Sequence, residues 1–393
     1  MKNYSYQKHS IQFSVIILLL IFIANTACCS SKSDKNILLP LQTYARHENY
    51  YHATSNSFHL FKYNMQSHRL TMINSNGTHV LNPVISHSGN KFIYSTENSK
   101  HLLVYVTNLQ FSHKHKLLSQ QIYSSDYDPD PIYNLEYTWS DNDRFIAISY
   151  TGTHSYLRIY NTRNFQRVYL KKHLYAYKWN PNCNQITVQS TSHSKLISII
   201  NLSGSKVTLD FQYMVVAFCY LDSSHILFSL YGPQYNSNMG HFGLFKIYNS
   251  LTHKFTSFHV NNYPKQGKNI KDKYLILDHS YDMDIDFVDS LQMYRIPKNS
   301  SVCLLNFLHI MSNGPHYALF ELNIQDHKLV AVGDAEYCGR INNSDDMLLM
   351  SYSWFGPYKR PGGAFLTTVW LENMYTHKMQ KLHLPYSYVA NGE

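Results

Sequence analysis

Charge is scarce in this chain. Asp, Glu, Lys and Arg make up only 15% of 393 residues, well below the usual quarter. The formal net charge is +9, and removal of Lys2 and Lys8 with the leader discussed below would leave +7. No run of five or six basic residues accompanies it; the nearest is SHKHK at 112–116. A nucleic-acid binder gathers its cations into a patch or stripe, so no nucleic-acid partner is expected. SHKHK itself reads as a solvated turn. Cysteine is sparse too. After Cys28 and Cys29 come only Cys183, Cys219, Cys303 and Cys338, with no CxxC pair. That excludes a zinc ribbon and disfavours a dense disulfide framework, while leaving room for one disulfide in an oxidising compartment.

Several chemistries are excluded by missing motifs. No GxSxG nucleophile elbow occurs, and no α/β hydrolase domain is expected after Glu393. HExxH is missing, which removes the zincins. The Ser-x-Asp-x-Gly-x-Thr-Trp phrase of sialidase-like folds is missing as well. Long apolar runs are also absent. The longest, Val15 to Ala24, has ten residues, against the roughly 20 that a membrane-spanning helix needs.

What is abundant is aromatic: 34 Tyr and 20 Phe. These residues suit pleated, half-buried surfaces, and Ala, Glu and Lys are not prominent. At 44% hydrophobic the chain can bury a sizeable core. The composition points to an all-β fold.

The leader, MKNYSYQKHSIQFSVIILLLIFIANTACCSS, has a basic start, the short apolar run and then small residues. This is the pattern of a signal peptide over 1–27. Its end resembles a bacterial lipoprotein signal, with Thr26-Ala27 before Cys28, although Asn25 stands where that family has an aliphatic residue. The resemblance implies a lipid on Cys28, hence a membrane partner through that anchor. In a Gram-negative cell it implies the outer membrane, facing the periplasm or cell surface. Ordinary secretion and an uncleaved anchor remain the alternatives. SSKSDKN (30–36) reads as part of a polar tether over 28–40.

From residue 41 to 393 the chain repeats itself. YTWSDNDRFIAISY (137–150) and YKWNPNCNQITVQS (177–190) share one plan: an aromatic, a polar turn, then an alternating strand. ISHSGNKFIYS (85–95), CYLDSSHILFSL (219–230), NIKDKYLILD (269–278) and RINNSDDMLLMSY (340–352) are siblings. A second element is a strand, a polar loop, a basic residue and a short strand, as in HLFKYNMQSHRLTMI (59–73). Its basic residues Arg69, Lys116, Arg167, Lys206 and Lys254 are 47, 51, 39 and 48 apart, and Lys328 and Lys378 are 50 apart. The gap of 74 between Lys254 and Lys328 holds a weaker candidate, LQMYRIPKNSSVCLL (291–305).

A period near 40–50 residues with several short strands per unit marks a β-propeller. A four-stranded blade cannot bury both faces alone, so blades stack around an axis. Trp139-Ser140-Asp141-Asn142-Asp143 with Phe145-Ile146-Ala147 resembles the repeated phrase of WD-repeat and TolB-like propellers. Trp179 to Cys183 is a second copy and Ser86 to Asn90 a weaker one. No unit ends in the Trp-Asp pair. The expectation is one propeller domain of about seven four-stranded blades, with six to eight open.

Two acidic stretches are the candidates for binding an ion. Asp126, Asp128 and Asp130, and Asp282, Asp284 and Asp286, alternate as the ligands of Ca²⁺ loops do, but both stretches lack the usual glycine. Solvated loops with Asx-turns are the simpler reading, so no catalytic residue, metal or cofactor is assigned. The Gly/Pro-punctuated, aromatic stretches 232–243 and 353–363 exceed what tight hairpins need. With Tyr231 they offer Tyr235, Phe242, Trp354, Phe355 and Tyr358 as binding-loop candidates. The expected function is non-enzymatic: an exported platform for a protein partner that the sequence does not identify. A propeller enzyme or glycan/peptide binder with its site in the central channel is the alternative. A third resemblance, to the propeller lipoproteins of outer-membrane assembly machinery, lacks their characteristic phrase.

Overall fold

A computed structural model describes residues 36–47, 50–64, 66–73, 80–97, 101–121, 134–151, 155–172, 176–190, 194–231, 244–260, 290–311, 314–333, 336–340, 346–355, 364–382 and 388–390. All secondary structure among them is strand, arranged as seven four-stranded antiparallel sheets.

The first sheet holds β1 (Asn36–His47), β2 (Tyr50–Asn64) and β3 (Arg69–Met72). The second runs β4 (Leu81–Ile85), β5 (Lys91–Glu97), β6 (His101–Asn108) and β7 (His115–Gln121). The third is β8 (Asn134–Trp139), β9 (Phe145–Thr151), β10 (Tyr156–Asn161) and β11 (Arg167–Lys172). In the fourth come β12 (Ala176–Trp179), β13 (Gln185–Gln189), β14 (Leu196–Asn201) and β15 (Lys206–Asp210). The fifth follows with β16 (Met214–Tyr220), β17 (His225–Tyr231), β18 (Leu244–Asn249) and β19 (Lys254–His259). Next are β20 (Ser290–Arg295), β21 (Val302–Met311), β22 (Gly314–Asn323) and β23 (Lys328–Gly333). The seventh has β24 (Glu336–Arg340), β25 (Asp346–Phe355), β26 (Ala364–Asn373) and β27 (Met379–Lys381). The last strand, β28 (Tyr388–Ala390), pairs with β1 and completes the first sheet.

Sheets consecutive in sequence are neighbours in space, and β26 lies against both β2 and β28, so the ring closes as a β-propeller. The count settles the ambiguous stretch 291–305. It supplies β20 and the start of β21, the first half of the blade that Lys328 closes, and not an eighth unit. Strand β1 begins at Asn36, so residues 36–40 of the expected tether are already in the sheet.

The alternation of side chains builds the ring. In the fifth blade Val215, Phe218, Phe228 and Leu230 pack into one cluster with Ile197 and Ile199 of the fourth. The intervening Ala217, Cys219 and Leu227 pack into another with Met293, Leu305 and Phe320 of the sixth. Successive residues of a strand point to opposite faces, so each blade feeds two inter-blade cores. Both Trp copies seal such a joint. Trp139 Nε1 donates to the Val84 carbonyl at 3.1 Å, and Trp179 Nε1 donates to Thr138 Oγ1 at 3.0 Å, each reaching the inner strand of the preceding blade.

The turns repeat as well. Each third strand ends in Asn: Asn64, Asn108, Asn161, Asn201, Asn249, Asn323 and Asn373. Every one of these side chains accepts a backbone N–H from the turn it opens. Each turn then passes through a left-handed residue: His68, Phe111, Phe165, Gly204, His253, His327 and His377. Local Asx bonding provides what glycine scarcity withholds. The basic residues that set the sequence period, Arg69, Lys116, Arg167, Lys206, Lys254, Lys328 and Lys378, are all exposed at or beside the start of the outermost strand. Positive charge there disfavours edge-to-edge pairing with another molecule.

The first turns of neighbouring blades are tied too. Asp143 accepts the His87 N–H at 2.8 Å and the Ser88 N–H at 2.7 Å, and its Oδ1 lies 3.2 Å from His87 Nδ1. Burial alone would raise this carboxyl, but the hydrogen bonds from His87 and Ser88 outweigh it and hold it at about 2, below the ordinary 3.8. A depressed carboxylate contributes stability that is full above pH 3.8 and is lost as pH falls through about 2. Asp143→Asn tolerates the left-handed backbone (φ 55°). It should cost about 1–2 kcal/mol at neutral pH and flatten the acid limb of a stability-versus-pH curve from urea unfolding. An unchanged acid limb would sink this assignment.

Cys183, Cys219 and Cys303 are free, buried thiols, so no disulfide joins any of them. Burial pushes the Cys183 thiol up and the Cys303 thiol well above its usual range. All three should react with an aqueous thiol reagent only on unfolding. Rapid native-state labelling would contradict their placement.

Candidate functional site

Three places bring functional groups together. The first is the propeller axis. Arg295, ending inner strand β20 of the sixth blade, pairs with Asp141, just past inner strand β8 of the third. The fourth and fifth blades lie between these two in the ring, so the contact spans the axis. Lys178 of β12 likewise sits 4.8 Å from the centre of the Tyr294 ring on β20, and Tyr294 donates to Gln292. Glu136 on β8 meets water, yet desolvation pushes its carboxyl up, with Lys178 opposing that shift. No inner strand among the described residues contains a histidine. The axial charges are therefore largely spent on one another.

The second place lies at the turns of the sixth and seventh blades. Glu321 on β22, Glu372 on β26 and His377 in the following turn bring their ligand atoms within 4.8 Å of one another. His377 Nδ1 is 3.0 Å from Glu372 Oε1 and 3.4 Å from Glu321 Oε1. Glu372 is 1% exposed. Burial pushes both carboxyls up, Glu321 to about 7, where His377 opposes the shift and Glu372 adds to it.

A shallow basic groove also opens between the second and third blades. It has a volume of about 460 Å³ and is lined by Lys91, His113, His115, Arg163 and Phe165 among others. The His115 ring stacks on Phe165 at 4.1 Å.

Of the residues expected from sequence, Tyr231 ends β17 opposite Met214, and both are exposed, at 37% and 41%. Trp354 and Phe355 end β25, in register with Phe365 and Ala364, so they belong to a strand and not to a loop. Cys28, Asp126, Asp128, Asp130, Tyr235, Phe242, Asp282, Asp284, Asp286 and Tyr358 lie outside the described residues. Sequence reasoning missed Glu321, Glu372 and His377. The signal lies in the repeat itself: Glu321 stands two before the turn Asn323 and Glu372 one before the turn Asn373, where no other unit carries an acid.

No known family profile matches the chain, and no curated protein matches it. Among solved structures it is similar to the β-propeller domain of the Trilobed protease from Pyrococcus furiosus. The identity is 11% and the TM-score 0.49, over 88% of this chain and 98% of that one. TolB from Acinetobacter baumannii is similar at 11% identity and a TM-score of 0.40; the match covers 75% of this chain and 63% of TolB. The Pyrococcus horikoshii acylaminoacyl peptidase gives 12% and 0.48, over 88% of this chain and 52% of that one. The chain is a β-propeller, an assignment carried by its own closed ring of sheets.

Proposed function

We propose that this propeller is an exported, non-enzymatic protein-interaction platform, anchored by lipid on Cys28 and presenting the face on which Tyr231 lies. The observation that carries the reading is the axis: Arg295 and Asp141 neutralise each other, and Lys178 is engaged with Tyr294. That leaves no convergent carboxylate–histidine pair on the axis among the described residues. Exposed Tyr and Met are favoured contact residues, and Met214 and Tyr231 stand together at the rim. The long connections 232–243 and 356–363 join strands that end on the same side as Tyr231, because first and third strands of a blade run together and second strands run against them. The leader and the Ala27-Cys28 junction support export and anchoring.

The test is site-specific photo-crosslinking of the full chain in its source cells, with the probe at Tyr231 and, as control, at Val207 on an outermost strand. A discrete protein adduct at Tyr231 and none at Val207 is expected, with Cys28→Ala releasing the protein from the membrane fraction. Turnover of peptides or oligosaccharides that is lost in Glu136→Gln, with no adduct at Tyr231, would replace the platform by an enzyme of the channel.

A further inference from the structure

We propose that Glu321, Glu372 and His377 form a binding site for one divalent transition-metal ion of the zinc type, wedged between the sixth and seventh blades. The repeat supplies the first argument. Aligned on the turn Asn, the residue before it is Tyr63, Thr107, Tyr160, Ile200, Tyr248 or Leu322 in six blades, and Glu372 in the seventh. Two before it stand Lys62, Val106, Ile159, Ile199, Ile247 and Leu371, and Glu321 in the sixth. A carboxylate therefore stands at each position where no other blade carries an acid, in adjacent blades, and the two groups meet.

Burial supplies the second. Glu372 is 1% exposed, yet its Oε2 has no hydrogen-bond partner. Glu321 Oε1, 3.4 Å from His377 Nδ1, is likewise buried without a hydrogen bond. Buried carboxylate oxygens that lack a donor call for a proton or a cation. In the sibling turns a neutral pair suffices: Tyr63 Oη lies 2.9 Å from His68 Nδ1, and Tyr248 Oη lies 2.7 Å from His253 Nδ1. The second carboxylate is not needed to hold the turn.

Geometry supplies the third. Separations of 3.0 and 3.4 Å between ligand atoms are those of neighbours around a single ion with bonds of about 2.0–2.2 Å. The His377 backbone is fixed in the left-handed region, and its N–H donates to the Asn373 carbonyl at 2.9 Å. Asn373 in turn donates to Asp346 at 3.0 Å. The imidazole is thus carried on a rigid turn. An imidazole with two carboxylates suits zinc-type ions better than Ca²⁺ or Mg²⁺, which take oxygen alone. Three protein ligands leave room for water, reached past His377 and Glu321, 24% and 14% exposed. The ion would take the Nδ1 lone pair, so the ring proton would have to sit on Nε2 in the loaded site.

The test is equilibrium dialysis of the chelator-stripped full chain against Zn²⁺ alone, with metal analysis and thermal unfolding. Wild type should hold one zinc per chain and unfold at a higher temperature with it. His377→Ala and Glu372→Gln should bind on the order of 100-fold more weakly. Glu372→Tyr places the sibling residue at this turn and keeps a partner for His377, so it separates loss of zinc from loss of fold. His327→Ala removes the corresponding histidine of the sixth blade, which stacks on Phe258, and should bind as wild type does. Equal zinc binding by wild type and Glu372→Tyr, or equal loss in His327→Ala, would overturn the site.

Discussion

Replacing Trp139 with alanine should destabilise the propeller by about 3–5 kcal/mol, the usual cost of emptying a buried indole site. Trp139 is 4% exposed. It packs with Tyr137, Ile146 and Ile148 of its own blade against Ile93, Val104 and Val106 of the second. The change thus opens a cavity at the seam between two blades, not inside one. The seam also carries the indole N–H to the Val84 carbonyl. Trp139→Phe keeps most of the ring and loses that donor, so it should cost about 1–2 kcal/mol. Trp179→Ala should cost less than Trp139→Ala, because Trp179 is only half-buried. Denaturant unfolding followed by far-UV circular dichroism orders the three. A Trp139→Ala midpoint equal to wild type would mean that the indole does not seal the seam. A transition that splits in two would show that blades come apart locally, as in repeat arrays.

That seam explains why the repeat was legible. The Trp and polar-turn phrase marks a joint every blade must make, and the alternating strand after it feeds two cores, so both leave a pattern in the chain. The basic residues at the outermost strands gave the period, and their exposure shows why they recur. The stretch 291–305 was harder because it holds the inner half of a blade, whereas its neighbours had been recognised by their outer halves. The axial network was illegible for a geometric reason. Asp141 and Arg295 are 154 residues apart, and only ring closure brings them together. Glu321, Glu372 and His377 were legible in part. The two glutamates break the pattern, while His377 repeats His68, His253 and His327, and the pattern appears only once the turn asparagines are recognised as equivalent. Motif spacing alone does not select these two glutamates among 25 acidic residues.

Restoring the sibling residues at that site should stabilise the metal-free protein. The double variant Glu321→Ile with Glu372→Tyr replaces two buried carboxylates by side chains that other blades carry at the same positions, Ile159, Ile199 and Ile247, and Tyr63, Tyr160 and Tyr248. Without an ion the carboxylates share one imidazole nitrogen and leave two oxygens unpaired. Exchanging such a buried charge cluster for packed apolar groups typically gains about 1–4 kcal/mol, while removing only one partner of it does not. The new tyrosine can meet His377 as Tyr248 meets His253, so the turn keeps its hydrogen bond. Chelator-treated wild type and variant are compared by denaturant midpoint, then again with saturating Zn²⁺. Without metal the variant should be the more stable. Zinc should raise the wild type and leave the variant where it was, since only a ligand that binds the folded form shifts its stability. A variant less stable than wild type under chelation would mean that the carboxylates support the blade through His377 alone. The two glutamates would then be structural, with no ion needed to account for them.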